Sequence, residues 1–179
     1  MLRHIPNLLS ISRLLVTPIV VWFISIHYYN FAFVLFFFAS LTDAVDGIIT
    51  RKFSLHTKLG SYIDPIADKI LLIATYVALG LLGEIQNWLV ITVVTRDIFI
   101  MGSFFISLIM GLTIQPNPLK IGKLCTALQM IYLLLILSHL AFDLTYFYNV
   151  PFFFAVVVAI ITILSGCLYL LNWLKIVME

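Results

Sequence analysis

The sequence predicts an all-α integral membrane protein with six transmembrane helices in one bundle. Of its 179 residues, 63% are hydrophobic and only 10% are charged, whereas a soluble domain has about 45–50% and about 25%. Runs such as 14–26, 31–40 and 155–164 are too uniformly apolar for amphipathic surface helices. Because one crossing takes about 20 residues, the chain has room for at most six or seven crossings with short loops. We therefore expect residues 1–179 to form a single membrane domain.

The first three helices are predicted at 8–26, 31–50 and 63–82. The first one follows only Arg3 and His4 and has no small-residue cleavage site after it, which indicates a retained helix and not a removed signal peptide. The turn 27–30 separates it from the second helix, and the polar stretch 51–61 separates the second helix from the third.

The last three helices are predicted at 88–111, 122–142 and 150–174. The glycine-containing turn 83–87 precedes the fourth helix, and Pro116 and Pro118 separate the fourth from the fifth. The segment 143–149, ahead of Pro151, separates the fifth helix from the sixth.

The positions of lysine and arginine predict the orientation. The turns 27–30, 83–87 and 143–149 contain neither residue. The segments at the other ends of the helices contain seven: Arg3, Arg51, Lys52, Lys58, Lys120, Lys123 and Lys175. Because basic residues accumulate on the cytoplasmic side, we expect both chain termini and the active site to lie there. The membrane would be a bacterial inner membrane or, alternatively, a mitochondrial inner membrane.

The acidic residues are clustered. Four of the eight fall within one short segment: Asp43, Asp46, Asp64 and Asp68. Separations of three and four residues put each pair on one face of a helix. An isolated Asp in hydrocarbon costs about 2.5–3.5 kcal/mol, so four mutually repelling carboxylates need a compensating cation. Because carboxylate oxygens suit Mg²⁺ and Mn²⁺, the cluster predicts a divalent-metal site.

Two alternatives for these carboxylates stay open. In the first, basic side chains neutralise them in ion pairs that only hold the helices together, with Arg13, Arg51, Lys69 and Arg96 as candidates. In the second, the cluster is the ion site of a cation transporter, although such sites usually lie near the membrane midplane between inverted repeats. Nothing in the net charge of +2 favours nucleic-acid binding.

The residues around the acids form a longer motif. The segment from Asp43 to Arg51, DAVDGIITR, is followed after eight residues by Gly60, Asp64 and Asp68. It resembles the signature DxxDGxxAR…GxxxDxxxD of the CDP-alcohol phosphatidyltransferases, with Thr50 in place of the usual Ala. The opening residues 5–13 also look like the start of these enzymes.

This resemblance implies an enzyme of phospholipid biosynthesis that transfers a phosphatidyl group from CDP-diacylglycerol to an alcohol and releases CMP. The metal-binding carboxylates of the family match Asp43, Asp46, Asp64 and Asp68, which implies two Mg²⁺ or Mn²⁺ ions, and Asp68 also matches the general base. Positions that bind CDP-diacylglycerol match Gly47, Arg51 and Gly60, with Ser10 and Arg13 as further candidates. The resemblance also implies a homodimer in contact with membrane lipid.

The acceptor alcohol is the least determined feature. Residues 64–69, 96–97 and 122–129 resemble the family branch that uses glycerol-bearing acceptors. Phosphatidylglycerophosphate synthases of that branch usually carry two further basic residues, and here Cys125 stands at one of those positions. We therefore expect phosphatidylglycerol, which would give cardiolipin, with glycerol 3-phosphate as the alternative. The residues expected to bind the acceptor's phosphate are Arg96, Lys120 and Lys123. Alternatively, the lysines only mark an inner loop, and Arg96 pairs with Asp97.

Overall fold

Six α-helices account for almost all of the residues that the computed structural model describes, which are 5–53, 60–109, 120–143 and 150–178. The helices are α1 Ile5–Ser25, α2 Tyr29–Phe53, α3 Gly60–Leu81, α4 Asn87–Ile109, α5 Lys120–Phe142 and α6 Val150–Met178. No strand occurs in these four ranges. The all-α prediction and the number of helices are confirmed there. The turn predicted around Pro116 and Pro118, and most of the one predicted at 143–149, lie outside the described residues.

All six helices extend by one to four residues beyond the apolar stretches that predicted them. α2 continues through Arg51 to Phe53, and α3 already begins at Gly60. Hydropathy marks where a chain leaves the hydrocarbon, whereas helical hydrogen bonding continues beyond that boundary, and Arg and Lys are good helix formers. The prediction of a polar linker over 51–61 was therefore too wide at both ends.

The turns after α1 and α3 have the same backbone geometry. His27 and Gly83 adopt left-handed conformations, with φ of 60° and 79°. Their N–H groups each donate to the carbonyl three residues earlier at 3.0 Å, and those of Tyr28 and Glu84 donate to the carbonyl five residues earlier at 2.9 and 3.0 Å. These bonds satisfy carbonyls that a helix end otherwise leaves without partners. Both turns lie where the sequence predicted them.

One compact unit of the structure contains α1, α2, α3 and the end of α5 from Leu133. Within it, α1 packs against both α2 and α3. Its buried apolar side chains recur every three or four residues along each helix, as helical packing requires. They include Val20, Ile24, Ala32, Phe36, Leu72, Tyr76 and Leu79.

The second unit contains α4, the part of α5 up to Tyr132, and α6. Within it, α4 packs against α6. Buried polar side chains are frequent here: Arg96, Asp97, Ser103, Ser107, Gln129, Thr162 and Ser165. Because α5 contributes residues to both units, the units are not two consecutive domains of the chain. The single domain over 1–179 stays a prediction.

Two helical stretches among the described residues are long and apolar enough to cross a membrane, Ile121–Phe142 and Phe152–Leu174. In an apolar 18-residue window of each stretch, only 33% and 28% of the residues are buried within the chain, whereas the core helix of a soluble protein is mostly covered. Large apolar side chains are exposed on other helices as well, with Leu81 at 83%. Such surfaces are rare on soluble monomers and are expected in contact with lipid.

Candidate functional site

The acidic cluster lies on two helices that follow each other in the chain. Asp43 and Asp46 belong to α2, and Asp64 and Asp68 belong to α3. On a continuous helix, the members of the two pairs are separated by about 60° and about 40° around the axis. The side chains of all four lie outside the described part of the structure, so their metal-binding role and the role of Asp68 as a base stay predictions.

The predicted CDP-diacylglycerol residues lie on these two helices and on α1. Gly47 and Arg51 follow the first acidic pair on α2, Gly60 is the first residue of α3, and Ser10 lies on α1. The side chains of Ser10 and Arg51 are again outside what the structure describes. All of these residues thus belong to the first compact unit.

A cavity of about 170 Å³ lies between α1 and α2. Arg13 and Val16 line it from α1, and Phe38, Ala39 and Thr42 line it from α2. The Arg13 side chain is only 4% exposed. Thr42 directly precedes Asp43 in the same helix. The cavity therefore combines a buried cation with mostly apolar walls, next in the helix to the first predicted metal ligand.

Arg96 is the centre of a polar cluster in the second unit. Its Nη1 donates to Asp97 Oδ1 at 2.6 Å, and its Nη2 donates to Ser165 Oγ at 2.8 Å. The three side chains are 7%, 0% and 2% exposed. The pairing of Arg96 with Asp97, which the sequence left open, is therefore present. It uses only one of the five N–H donors of the guanidinium group, so it leaves the predicted contact with the acceptor phosphate untested.

Two glycines let α5 and α6 approach Arg96 closely. A Cβ atom added to Gly122 of α5 would lie 3.6 Å from Arg96 Nη2. A Cβ atom added to Gly166 of α6 would lie 3.3 Å from Arg96 Cγ, closer than the usual contact between carbon atoms of about 3.5–4.0 Å. Gly122 is in the first turn of α5, so the guanidinium group lies beside the start of that helix.

The polar contacts continue between α5 and α6. Gln129 Nε2 donates to Thr162 Oγ1 at 3.1 Å, and Cys125 Sγ lies 3.4 Å from the same oxygen. Cys125 is 1% exposed. It therefore acts as a small buried side chain between the two helices.

Lys123 is exposed near the start of α5, whereas the side chain of Lys120 is not described. Ser165, Gly166 and Thr162 were missed by the sequence analysis because they lie inside the apolar stretch 150–174. These residues are small or hydroxyl-bearing, and Ser165 and Gly166 lie three and four positions after Thr162 in the sequence. Such spacing often marks a helix face in contact with another helix, and it could have identified them.

Among the described residues, no group of three or more His, Cys, Asp or Glu side chains could hold a metal ion. The four aspartates of α2 and α3 do have the right chemistry, since hard carboxylate oxygens are the ligands that Mg²⁺ and Mn²⁺ prefer. The family model described as CDP-alcohol phosphatidyltransferase matches residues 3–168. The chain belongs to this family. Its members generally depend on a divalent metal.

Three relatives cover most of this chain. A Schizosaccharomyces pombe protein named cardiolipin synthase (CMP-forming) / mitochondrial hydrolase fusion protein is 31% identical over 94% of the chain, and the match covers 31% of that protein. Two CDP-diacylglycerol–glycerol-3-phosphate 3-phosphatidyltransferases also match. The one from Aquifex aeolicus is 31% identical over 95% of the chain and 92% of its own length. The one from Bacillus subtilis is 36% identical over 78% and 72%.

Proposed function

We propose that the chain transfers the phosphatidyl group of CDP-diacylglycerol to phosphatidylglycerol, giving cardiolipin and CMP. Membership of the CDP-alcohol phosphatidyltransferase family is the observation that carries the reaction class. In this reaction a hydroxyl oxygen of the acceptor bonds to the phosphorus of the phosphatidyl group, and the bond between that phosphorus and the oxygen of CMP breaks. The acceptor hydroxyl must also lose its proton.

The donor site is assigned to the first compact unit. Asp43, Asp46, Asp64 and Asp68 would hold two Mg²⁺ or Mn²⁺ ions. When bound, such ions neutralise the diphosphate and stabilise the departing CMP. Asp68 accepts the proton of the acceptor hydroxyl.

The remaining donor residues bind the nucleotide lipid. Arg51 and Arg13 bind its phosphate oxygens, since guanidinium groups match phosphate geometry. Gly47 and Gly60 allow close approach to the backbone, and Ser10 supplies a hydroxyl group. The cavity beside Arg13 supports this assignment, because a buried cation next to apolar walls suits a phosphate attached to acyl chains.

Two features of the second unit support phosphatidylglycerol as the acceptor. α4 carries no charged residue after Asp97, and Cys125 is a buried neutral side chain. Glycerol 3-phosphate is a dianion that would need more basic groups, whereas phosphatidylglycerol carries a single diester charge and gains affinity from its acyl chains. Arg96, Lys120 and Lys123 are assigned to the acceptor phosphate.

Glycerol 3-phosphate is the second candidate acceptor, which would give phosphatidylglycerophosphate. One observation favours it. The Aquifex aeolicus relative, which is named for glycerol 3-phosphate, matches 95% of this chain with 92% of its own length.

The membrane arrangement belongs to the same proposal. The six helices cross the membrane, with the chain termini and the active site on the cytoplasmic side of a bacterial inner membrane and with two copies forming a homodimer. Its support is the absence of Lys and Arg from the turns 27–30, 83–87 and 143–149.

The decisive experiment follows CMP and lipid products from purified, detergent-solubilised protein. CDP-diacylglycerol and Mg²⁺ or Mn²⁺ are supplied, with phosphatidylglycerol or glycerol 3-phosphate in parallel, and EDTA as the control. Formation of cardiolipin would support phosphatidylglycerol as the acceptor. Formation of phosphatidylglycerophosphate would instead support glycerol 3-phosphate. Absence of metal-dependent CMP release with every acceptor would overturn the enzymatic assignment and leave room for a cation transporter.

A further inference from the structure

The hydroxyl group of Ser165 contacts a charged side chain of another helix. Elsewhere in the described helices, the buried hydroxyls of Thr75 and Ser107 donate to the backbone carbonyl four residues earlier, at 2.8 and 2.6 Å. The Ser165 oxygen instead accepts a hydrogen bond from Arg96 on another helix, at 2.8 Å. Its function is therefore tied to the guanidinium group and not to its own helix.

Arg96 is held from several sides but still has donors available. Its Nη1 is bound by Asp97 and its Nη2 by Ser165, and Gly166 closes on the aliphatic part of the side chain. Its Nε is buried and has no hydrogen-bond partner among the described residues. Burying an unused donor of a charged group is costly, so the arrangement favours an anionic oxygen as the further partner.

The surroundings of the guanidinium group suit an anion. Gly122, which lies against Nη2, is in the first turn of α5, where backbone N–H groups lack helical partners and the helix dipole favours negative charge. Lys123 follows directly and is exposed. The Asp97 carboxylate accepts a hydrogen bond from only one N–H group of Arg96. A phosphate could accept hydrogen bonds from N–H groups that Asp97 does not use.

We propose that Ser165 is a positioning residue, which fixes the Arg96 guanidinium group beside the first turn of α5 for binding the phosphate of the acceptor. This inference rests on the proposed function and extends it to a residue of α6. Without the serine oxygen, Asp97 alone would orient the group. The guanidinium would then rotate about its last bonds, and its donors would no longer be aligned for one phosphate.

The test compares acceptor and donor kinetics in two matched serine variants. Ser165→Ala is compared with Ser107→Ala, because Ser107 also accepts a bond from α6, from Trp173 Nε1 at 3.0 Å. For Ser165→Ala we expect the KM for the active acceptor lipid or glycerol phosphate to rise about tenfold, as the loss of a hydrogen bond to a charged group allows. The KM for CDP-diacylglycerol should stay within about twofold. Ser107→Ala should lower the Tm and leave both KM values unchanged.

Two further variants separate positioning from packing. Ser165→Cys keeps the volume but replaces the oxygen by a weak acceptor, so it should reproduce the acceptor defect even if the alanine variant folds poorly. Ser165→Thr keeps the hydroxyl group and should restore the acceptor KM.

The failures of the inference and of the proposed function are distinguishable. An unchanged acceptor KM in both the alanine and cysteine variants, with an active parent protein, would overturn the role of Ser165 alone. Equal rises in the donor and acceptor KM would also overturn it, in favour of a structural role. CMP release by the parent protein that no acceptor accelerates would overturn the proposed acceptor reaction itself.

Discussion

Gly166→Ala is the substitution whose effect can be worked out most directly from the structure. The new methyl carbon would lie 3.3 Å from Arg96 Cγ, whereas carbon atoms prefer about 3.5–4.0 Å, so one of the two groups must move by a few tenths of an ångström. Overpacking of this kind costs about 1–3 kcal/mol. Replacing a helical glycine by alanine returns up to about 1 kcal/mol.

Gly102→Ala is the matched control. Gly102 lies inside α4, and no atom of the described residues would lie within 4 Å of its added Cβ atom. Because the gain in helix propensity is common to both substitutions, their difference of about 1–3 kcal/mol isolates the steric effect. Thermal unfolding in detergent should give Gly166→Ala the lower Tm by about 2–12 °C.

Equal unfolding temperatures of the two glycine variants would refute a steric clash between the new methyl group and Arg96. A second check uses Arg96→Ala as the background. The atom that the new methyl group meets is then absent, so adding Gly166→Ala should carry no steric penalty. A penalty that persists in this background would show that Gly166 is not crowded by Arg96.

Three further predictions concern the donor site and the turn between α1 and α2. Asp68→Asn should abolish turnover with the Tm and nucleotide binding retained, because the amide cannot take the hydroxyl proton; full activity in a CMP-release assay would remove Asp68 as the base. Arg51→Ala should raise the KM for CDP-diacylglycerol about tenfold or more, and unchanged steady-state kinetics would contradict its assignment to phosphate. Burial and the neighbouring Glu84 carboxylate raise the pKa of Tyr29 from 10.0 to about 12, so the stability that this phenol contributes is complete below pH 10 and is lost as the pH rises through 12. Tyr29→Phe should therefore show a smaller drop in Tm between pH 9 and pH 11 than the parent protein, and identical drops would contradict the shift.

The sequence predicted the helices well because their separators contain strong breakers. The turns at His27 and Gly83 are where polar and glycine residues interrupt the apolar stretches, and α1, α4 and α5 begin within three residues of the predicted positions. The least accurate boundary was the end of α6, four residues beyond the predicted one, because hydropathy detects the hydrocarbon boundary and not the end of the helix.

The site was predictable only where it depends on local spacing. Asp43 and Asp46 are three residues apart, which puts them on the same face of a helix. This prediction needs no information about tertiary packing. The bond from Arg96 to Ser165 joins residues 69 positions apart, and it depends on how α4 packs against α6. The spacing of Thr162, Ser165 and Gly166 indicates a helix face in contact with another helix, but it does not identify Arg96 as the partner of Ser165.

The length of α2 has a consequence for the lipid around it. Its 25 residues span about 37 Å, more than the hydrocarbon thickness of about 30 Å. With Tyr29 at the outer boundary, as the proposed orientation has it, the backbone of Asp46 lies about 26 Å along the helix, a few ångströms short of the inner boundary. A thicker bilayer would place Asp46 more deeply in the hydrocarbon, and a thinner one would bring it towards water. Hydrophobic mismatch would thereby couple the activity of a lipid-synthesising enzyme to the thickness of the membrane that it helps to build.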